Sequence, residues 1–235
     1  LQWPEFRQQL AVEDIARLIV HPQGGLKGVP AKARVVPFIN KAETAEQQTA
    51  ARQIGQQLLQ SPRIDRVVIG AARTDRPARS VIQRVTAVIL AAGQSQRMGQ
   101  TKQLLPWGQT TVLGQTLRNL GQSGIHQRLV ITGQSAAAVA AIARAEGVES
   151  LHNPNFAAGE MLSSLQTAVR HLPESCTAVL VVLADQPMVP AQEIDLLLQA
   201  YWQGRSDLIA PLFGGQRGNP VLIGWAYFAE LLALP

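Results

Sequence analysis

Cysteine is almost missing from this 235-residue chain: Cys176 stands alone, which excludes an internal disulfide framework. No apolar run reaches the ~20 residues needed to cross a bilayer. No signal-peptide pattern opens the sequence. On these grounds the chain reads as cytoplasmic. It begins at Leu1 instead of a start methionine, which reads as a fragment. The four histidines, His21, His126, His152 and His171, are scattered without metal-ligand spacing and read as structural. No Ser-His-Asp or Cys-His set is evident. Aromatics make up only 5%. The first 83 residues hold three, Trp3, Phe6 and Phe38, too few for stacking platforms on single-stranded nucleic acid.

What is present is a large apolar fraction, 46%, ample for a packed core. The length allows one large domain or two small ones. The formal charge of +5 is uneven. Residues 1–83 carry 12 Lys/Arg against 7 Asp/Glu, whereas residues 84–235 carry 9 of each. A basic half can attract an anionic substrate or a partner. Without aromatic interleaving, a solvated basic surface is the reading, and no nucleic-acid partner is expected.

The most informative stretch follows an apolar run at residues 85–90. It reads Leu90-Ala91-Ala92-Gly93-Gln94-Ser95-Gln96-Arg97-Met98-Gly99-Gln100-Thr101-Lys102. Small residues let backbone N–H groups approach a phosphate chain. Arg97 can grip phosphate oxygens as a fork, and Lys102 adds a point charge. The alternative is an ordinary strand-to-helix turn with solvated cations. Neither common phosphate loop fits: Lys102 lies three residues past Gly99, so G-x-x-x-x-G-K-[ST] fails, and G-x-G-x-x-G fails too.

The pattern L-A-A-G-x-S-x-R-M-G-x-x-K, continuing into Gln103-Leu104-Leu105-Pro106-Trp107, resembles the signature of MobA/MocA-like nucleotidyltransferases. The Leu-Leu-Pro-Trp continuation resembles the molybdenum cofactor cytidylyltransferases within that family. Three further segments resemble the family's later motifs. They are Asn153-Pro154 with Gly159, Met161 and Ser164-Leu165, then Ala184-Asp185-Gln186-Pro187, then Arg217-Gly218-Asn219-Pro220. Together they span residues 84–235 in order. A further acidic motif expected downstream is not reached before Pro235, so a second metal-binding carboxylate is expected outside this chain.

Residues 1–83 have their own pattern. Residues 11–19 read as a helix and 21–30 as a loop. A buried strand is expected over 34–39, a helix over about 45–60, and another strand over 66–70. Asn40-Lys41-x-Glu43 resembles the base-recognition element of GTPases, with Glu one methylene longer than the usual Asp. The whole segment is similar to the C-terminal half of YqeC-type accessory proteins, which are associated with selenium-dependent molybdenum hydroxylases. Residues 73–84 are basic and contain proline, and read as a linker. The expected domains are 1–83, a partial α/β accessory segment, and 84–235, the nucleotidyltransferase.

In the second domain, helices are expected at 111–122, 136–145 (ended by Gly147), 159–172 and 192–203. Strands are expected at 85–90, 128–132, 149–152, 178–183 and 207–211, and residues 225–232 are helix-like. The alternation predicts a doubly wound, mostly parallel, Rossmann-like α/β sheet. Residues 178–183 are fully apolar, as a strand covered on both faces requires. In such sheets ligands bind beyond the carboxyl ends of the strands. The loop after residue 90 and Asp185 both follow strand ends and can share one site.

The resemblance implies attack by a molybdopterin phosphate on the α-phosphate of CTP, releasing pyrophosphate, with Mg²⁺. The nucleophile is already an anion, so positioning and charge neutralisation carry the reaction. By that resemblance Leu90, Ala91, Ala92 and Gly93 hold phosphates through their backbone. Arg97 and Lys102 neutralise charge, and Asp185 places the metal. Thr132, Gly133, Gly159 and Ser164 line base and ribose, and Arg217, Gly218, Asn219 and Pro220 face the acceptor. Other readings stay open. Asp185 can be a turn or cap residue, Ser164 a hydroxyl bonded within its helix, and residues 217–220 a hairpin turn. Trp107 reads as packing. A related transferase using GTP or a sugar-phosphate acceptor is open, as is a non-catalytic nucleotide- or cofactor-binding module for a molybdenum hydroxylase.

Overall fold

The computed structural model describes residues 36–39, 44–61, 64, 66–70, 78–93, 101–157 and 160–235. The helix expected at 11–19, the loop at 21–30 and the Asn40-Lys41-x-Glu43 element lie outside the described residues, as do Arg97 and Gly159. The chain divides into two compact units, Leu1–Gln83 and Arg84–Pro235.

The first unit has a three-stranded sheet in sequence order: β1 (Phe38–Ile39), β2 (Arg66–Gly70) and β3 (Ala78–Gln83). β1 runs parallel to β2, and β3 antiparallel to it. Helix α1 (Ala45–Leu58) starts at a capping box. Thr44 Oγ1 accepts from Gln47 N–H, and Gln47 Oε1 accepts from Thr44 N–H. The linker expected over residues 73–84 is corrected here, since its second half is β3. Val67 faces Ile82 in register, and both are fully buried. Charges around a short β-branched pair masked a strand that an antiparallel partner stabilises.

The second unit is a six-stranded, parallel-rich α/β sheet. Its strands are β4 (Val85–Ala91), β7 (Gln127–Thr132), β8 (Glu149–His152), β9 (Ala178–Leu183), β10 (Leu208–Ile209) and β13 (Val221–Gly224). Two hairpins supply the intervening strands, β5 (Pro106–Trp107) with β6 (Thr110–Thr111), and β11 (Leu212–Phe213) with β12 (Gln216–Arg217). The sheet order is β10-β13-β9-β4-β7-β8. β9, β4, β7 and β8 are parallel, and β13 is antiparallel to both β9 and β10.

The helices are α2 (Val112–Gly121), α3 (Ala136–Ala145), α4 (Glu160–His171), α5 (Ala191–Trp202) and α6 (Phe228–Ala233). One face of the sheet, through Val88, Leu129, Ile131, Val179 and Val181, packs on Leu165, Ala168 and Val169 of α4 and on Phe228, Leu231 and Leu232 of α6. Helix α2 packs on α3 and α5 and buries Leu113, Leu117 and Leu120. It starts where Thr111 Oγ1 accepts from Gly114 N–H at 3.0 Å. Gly147, at φ +66°, follows α3 in the left-handed conformation that glycine favours. None of the described helices is long and apolar enough to cross a membrane.

The winding positions the site. From β4 the chain moves outward through β7 to β8, then returns to β9 on the other side of β4 and continues toward β13 and β10. The strand order therefore reverses between β4 and β9. In open α/β sheets the crevice at that point, beyond the carboxyl ends, is where ligands sit.

Candidate active site

Register aligns the carboxyl ends of four strands. Ala91 of β4 pairs with Thr132 of β7, Thr132 with His152 of β8, and Leu90 with Leu183 of β9. The segments Ala92-Gly93, Gly133, Asn153 and Ala184-Asp185 therefore leave the sheet at one edge. Ala184 N–H donates to Leu90 O at 3.3 Å, and Asn153 N–H to Thr132 O at 2.9 Å, so the alignment continues one residue past the strands.

Ala91 and Ala92 are buried and Gly93 is exposed. A Cβ on Gly93 would meet nothing within 4 Å among the described residues. The next described residue is Thr101, and a 3₁₀ turn follows at Lys102–Leu104. Lys102 is exposed, while its neighbour Gln103 is buried and donates from Nε2 to Ala91 O at 3.0 Å. Thr101 Oγ1 lies 2.9 Å from Ser135 Oγ in the loop after β7. That same loop begins at Gly133, where a Cβ would stand 2.5 Å from Ala92 O. Only a glycine lets the two loops touch backbone to backbone.

Asp185 is exposed on the loop after β9, flanking the switch point opposite the β4 loop. Helix α2 holds this loop from below: Asn119 Nδ2 donates to Pro187 O and to Val189 O, both at 2.9 Å. Gln186 Oε1 is buried with no hydrogen-bond partner among the described residues. Among the described residues no group of three or more His, Cys, Asp or Glu gathers to form a metal cage. One exposed carboxylate suits a hard cation whose remaining ligands are phosphate oxygens and water, which is how Mg²⁺ is commonly held.

Asn153 enters the sequence reading as part of the Asn153-Pro154 motif, without a role of its own. It is fully buried, and its amide is a junction between β8 and α4. Nδ2 donates to Ser163 Oγ (2.8 Å) and Ser164 Oγ (3.0 Å), while Oδ1 accepts from Asn155 N–H (3.0 Å). Ser164 is itself 2% exposed, so its hydroxyl sits in this junction. Thr132 is buried too, its Oγ1 3.4 Å from both Leu151 O and His152 Nδ1. Thr132 and Ser164 are thus both buried at the carboxyl edge of the sheet, and the chain leaves β7 at Gly133.

Residues 217–220 lie at the same edge. β13 begins at Val221, opposite Val181 near the end of β9. The hairpin β11–β12 therefore precedes β13 at the carboxyl edge of β9. It turns at Gly214 and Gly215, both at positive φ, and is closed by Gly218 N–H donating to Pro211 O at 2.9 Å. Arg217 is exposed, Gly218 and Asn219 are half-buried, and Pro220 is buried after a cis peptide bond.

His126 and Cys176 sit at the opposite, amino-terminal edge. His126 Nε2 lies 3.3 Å from the Arg84 guanidinium, and burial together with that charge lowers the imidazole pKa. Burial raises the Cys176 thiol pKa. Neither faces the strand ends.

The profile of the MobA-like NTP transferase domain matches residues 87–235. Over 154 residues the chain is 32% identical to the molybdenum cofactor cytidylyltransferase of Escherichia coli (strain K12), covering 64% of this chain and 76% of that one. Over 146 residues it is 30% identical to the nicotine blue oxidoreductase of Paenarthrobacter nicotinovorans, covering 59% and 70%. Among solved structures, Rv0371c from Mycobacterium tuberculosis H37Rv superposes with a TM-score of 0.58 at 30% identity, over 66% of this chain and 78% of that one.

Proposed function

On the premise that the chain belongs to the MobA-like NTP transferase family and is a nucleotidyltransferase, we propose that it transfers the cytidylyl group of CTP to molybdopterin with Mg²⁺. The observation that supports this reading is that the end of β4 before Gly93, the turn that holds Lys102 and the end of β9 before Asp185 all lie at the carboxyl edge of the sheet, where the strand order reverses. That set suits a polyphosphate bound with a divalent ion and contains no nucleophile of its own. The cytidylyl assignment draws on the relative from Escherichia coli and on the Leu104-Leu105-Pro106-Trp107 continuation.

In this mechanism a phosphate oxygen of the acceptor forms a bond to the α-phosphorus, and the bond from that phosphorus to the β-bridging oxygen breaks. Pyrophosphate leaves with the electron pair. Backbone N–H groups of residues 91–93 orient the phosphates, and Lys102 neutralises charge that grows on the leaving oxygens. Arg97 does the same in the sequence-based reading. Asp185 would hold Mg²⁺, which supplies charge neutralisation on the phosphate oxygens. Thr132, Gly133 and Ser164 are read as the side toward base and ribose, as is Gly159 in the sequence-based reading. Arg217 and Asn219, with Gly218 between them and Pro220 after them, orient the anionic acceptor.

Residues 1–83 are read as an accessory segment of YqeC type, and a molybdenum hydroxylase as the partner that receives the product. The test is pyrophosphate release by the chain with Mg²⁺, molybdopterin and each of CTP, GTP, ATP and UTP. Release with CTP supports the reading. Release with GTP alone would move it to guanylyl transfer, and binding without release to a carrier module.

A further inference from the structure

Lys102 is bracketed by two residues whose side chains are turned away from their usual local roles. Thr101 precedes the 3₁₀ turn and Ser135 precedes α3, positions where hydroxyls ordinarily accept from the first free N–H groups. Neither makes such a capping bond. They bond to each other instead, at 2.9 Å, across 34 residues of sequence. On the other side of Lys102, Gln103 is buried at 6% exposure although glutamine is rarely interior. Its amide satisfies Ala91 O, a buried carbonyl at the strand end, at 3.0 Å. The turn itself is closed by Leu104 N–H to Thr101 O and Leu105 N–H to Lys102 O.

The turn that holds Lys102 is therefore tied to the end of β4 through Gln103 and to the loop after β7 through Thr101. We propose that Gln103 and Thr101 are positioning residues that hold Lys102 at the strand edge, Gln103 through Ala91 O and Thr101 through Ser135. This rests on the reading of Lys102 as a phosphate-binding cation. A lysine stem is flexible, and fixing its backbone on both sides removes freedom that phosphate binding would otherwise have to restrict. A residue acting in this way has no effect once Lys102 itself is gone, which separates positioning from general support of the fold.

The experiment measures magnesium–CTP affinity by calorimetry, and kcat and KM for pyrophosphate release. The full chain is compared with Gln103→Met, Thr101→Val, Ser135→Ala and Lys102→Ala, and with Gln103→Met and Thr101→Val each placed on Lys102→Ala. The expected result is a loss of affinity of about tenfold in each single variant and no further loss when either is added to Lys102→Ala. Thr101→Val with Ser135→Ala is expected to equal either alone. That hydroxyl pair carries the test if Gln103→Met folds poorly. Losses that multiply on the Lys102→Ala background would overturn the proposal. So would Gln103→Met and Thr101→Val variants that bind like the parent while Lys102→Ala does not. A Lys102→Ala variant that binds like the parent would overturn the functional reading of Lys102 and this proposal together.

Discussion

A Cβ built on Gly133 would lie 2.5 Å from the carbonyl oxygen of Ala92 and 2.8 Å from its Cα. The loops after β4 and β7 thus meet through bare backbone at the place where the phosphates of a nucleotide are read to sit. Gly133→Ala must push the two loops apart, because the opposing atoms are main chain and cannot rotate away. Overpacking of this kind costs about 1–3 kcal/mol, a fall in Tm on the order of 3–10 °C for a unit this size. Thermal melting checks the stability term. Nucleotide titration is expected to show weaker CTP binding in the same variant.

Asp185 gives the opposite profile. It is exposed on a loop that Asn119 holds by main-chain contacts to Pro187 and Val189. Its carboxylate is therefore dispensable for folding. Asp185→Asn is expected to leave Tm within about 1 °C and to lower pyrophosphate release by about 100-fold or more, as loss of a charge-stabilising group does. A variant that turns over normally would remove Asp185 from the site.

Asn153 is structural in a way the surface charges are not. Replacing it by alanine removes the amide that donates to the buried Ser164 and half-buried Ser163 hydroxyls and that accepts from Asn155 N–H. The expected cost is about 2–4 kcal/mol. Asn153→Asp is expected to be worse, since it replaces two donated bonds with a buried negative charge. Urea unfolding reads this as a lower midpoint at unchanged slope.

Stability is expected to fall at both ends of the pH range. Folded His126 releases its proton more readily than the unfolded chain, whose imidazole titrates near 6.5. The unfolded state then binds more protons below that value, so stability present above it is lost as pH falls through about 6.5. Folded Cys176 keeps its proton longer than the unfolded thiol, which titrates near 9.0. Stability is thus lost as pH rises through that value. Urea midpoints across pH check both limbs. His126→Gln is expected to flatten the acid limb and Cys176→Ala the alkaline one.

The parallel core was readable in the sequence because burial on both faces leaves an unbroken apolar run, as in Ala178–Leu183, and because α2 repeats Leu113, Leu117 and Leu120 at helical spacing. The β3 strand was not, since the β-branched pair Val81-Ile82, of which only Ile82 is buried, sits among Arg, Ser and Gln. The antiparallel return of β13, which carries residues 217–220 to the site edge, leaves no periodic trace in four residues. Of the site, the chemistry-bearing side chains Lys102 and Asp185 stood out by type and spacing. Gln103, Asn119 and Asn153 did not, because each works through a single amide reaching main chain or hydroxyls distant in sequence. Only the folded register brings those partners within reach.

The most direct measurement follows the phosphorus. The chain is incubated with Mg²⁺, molybdopterin and CTP labelled either at the α- or at the γ-phosphorus, and the products are separated. The account predicts α-label in a cytidine-containing dinucleotide of the acceptor and γ-label in pyrophosphate. Recovery of α-label as CMP, with γ-label in pyrophosphate and none of the α-label on the acceptor, would contradict it. So would γ-label released as inorganic phosphate.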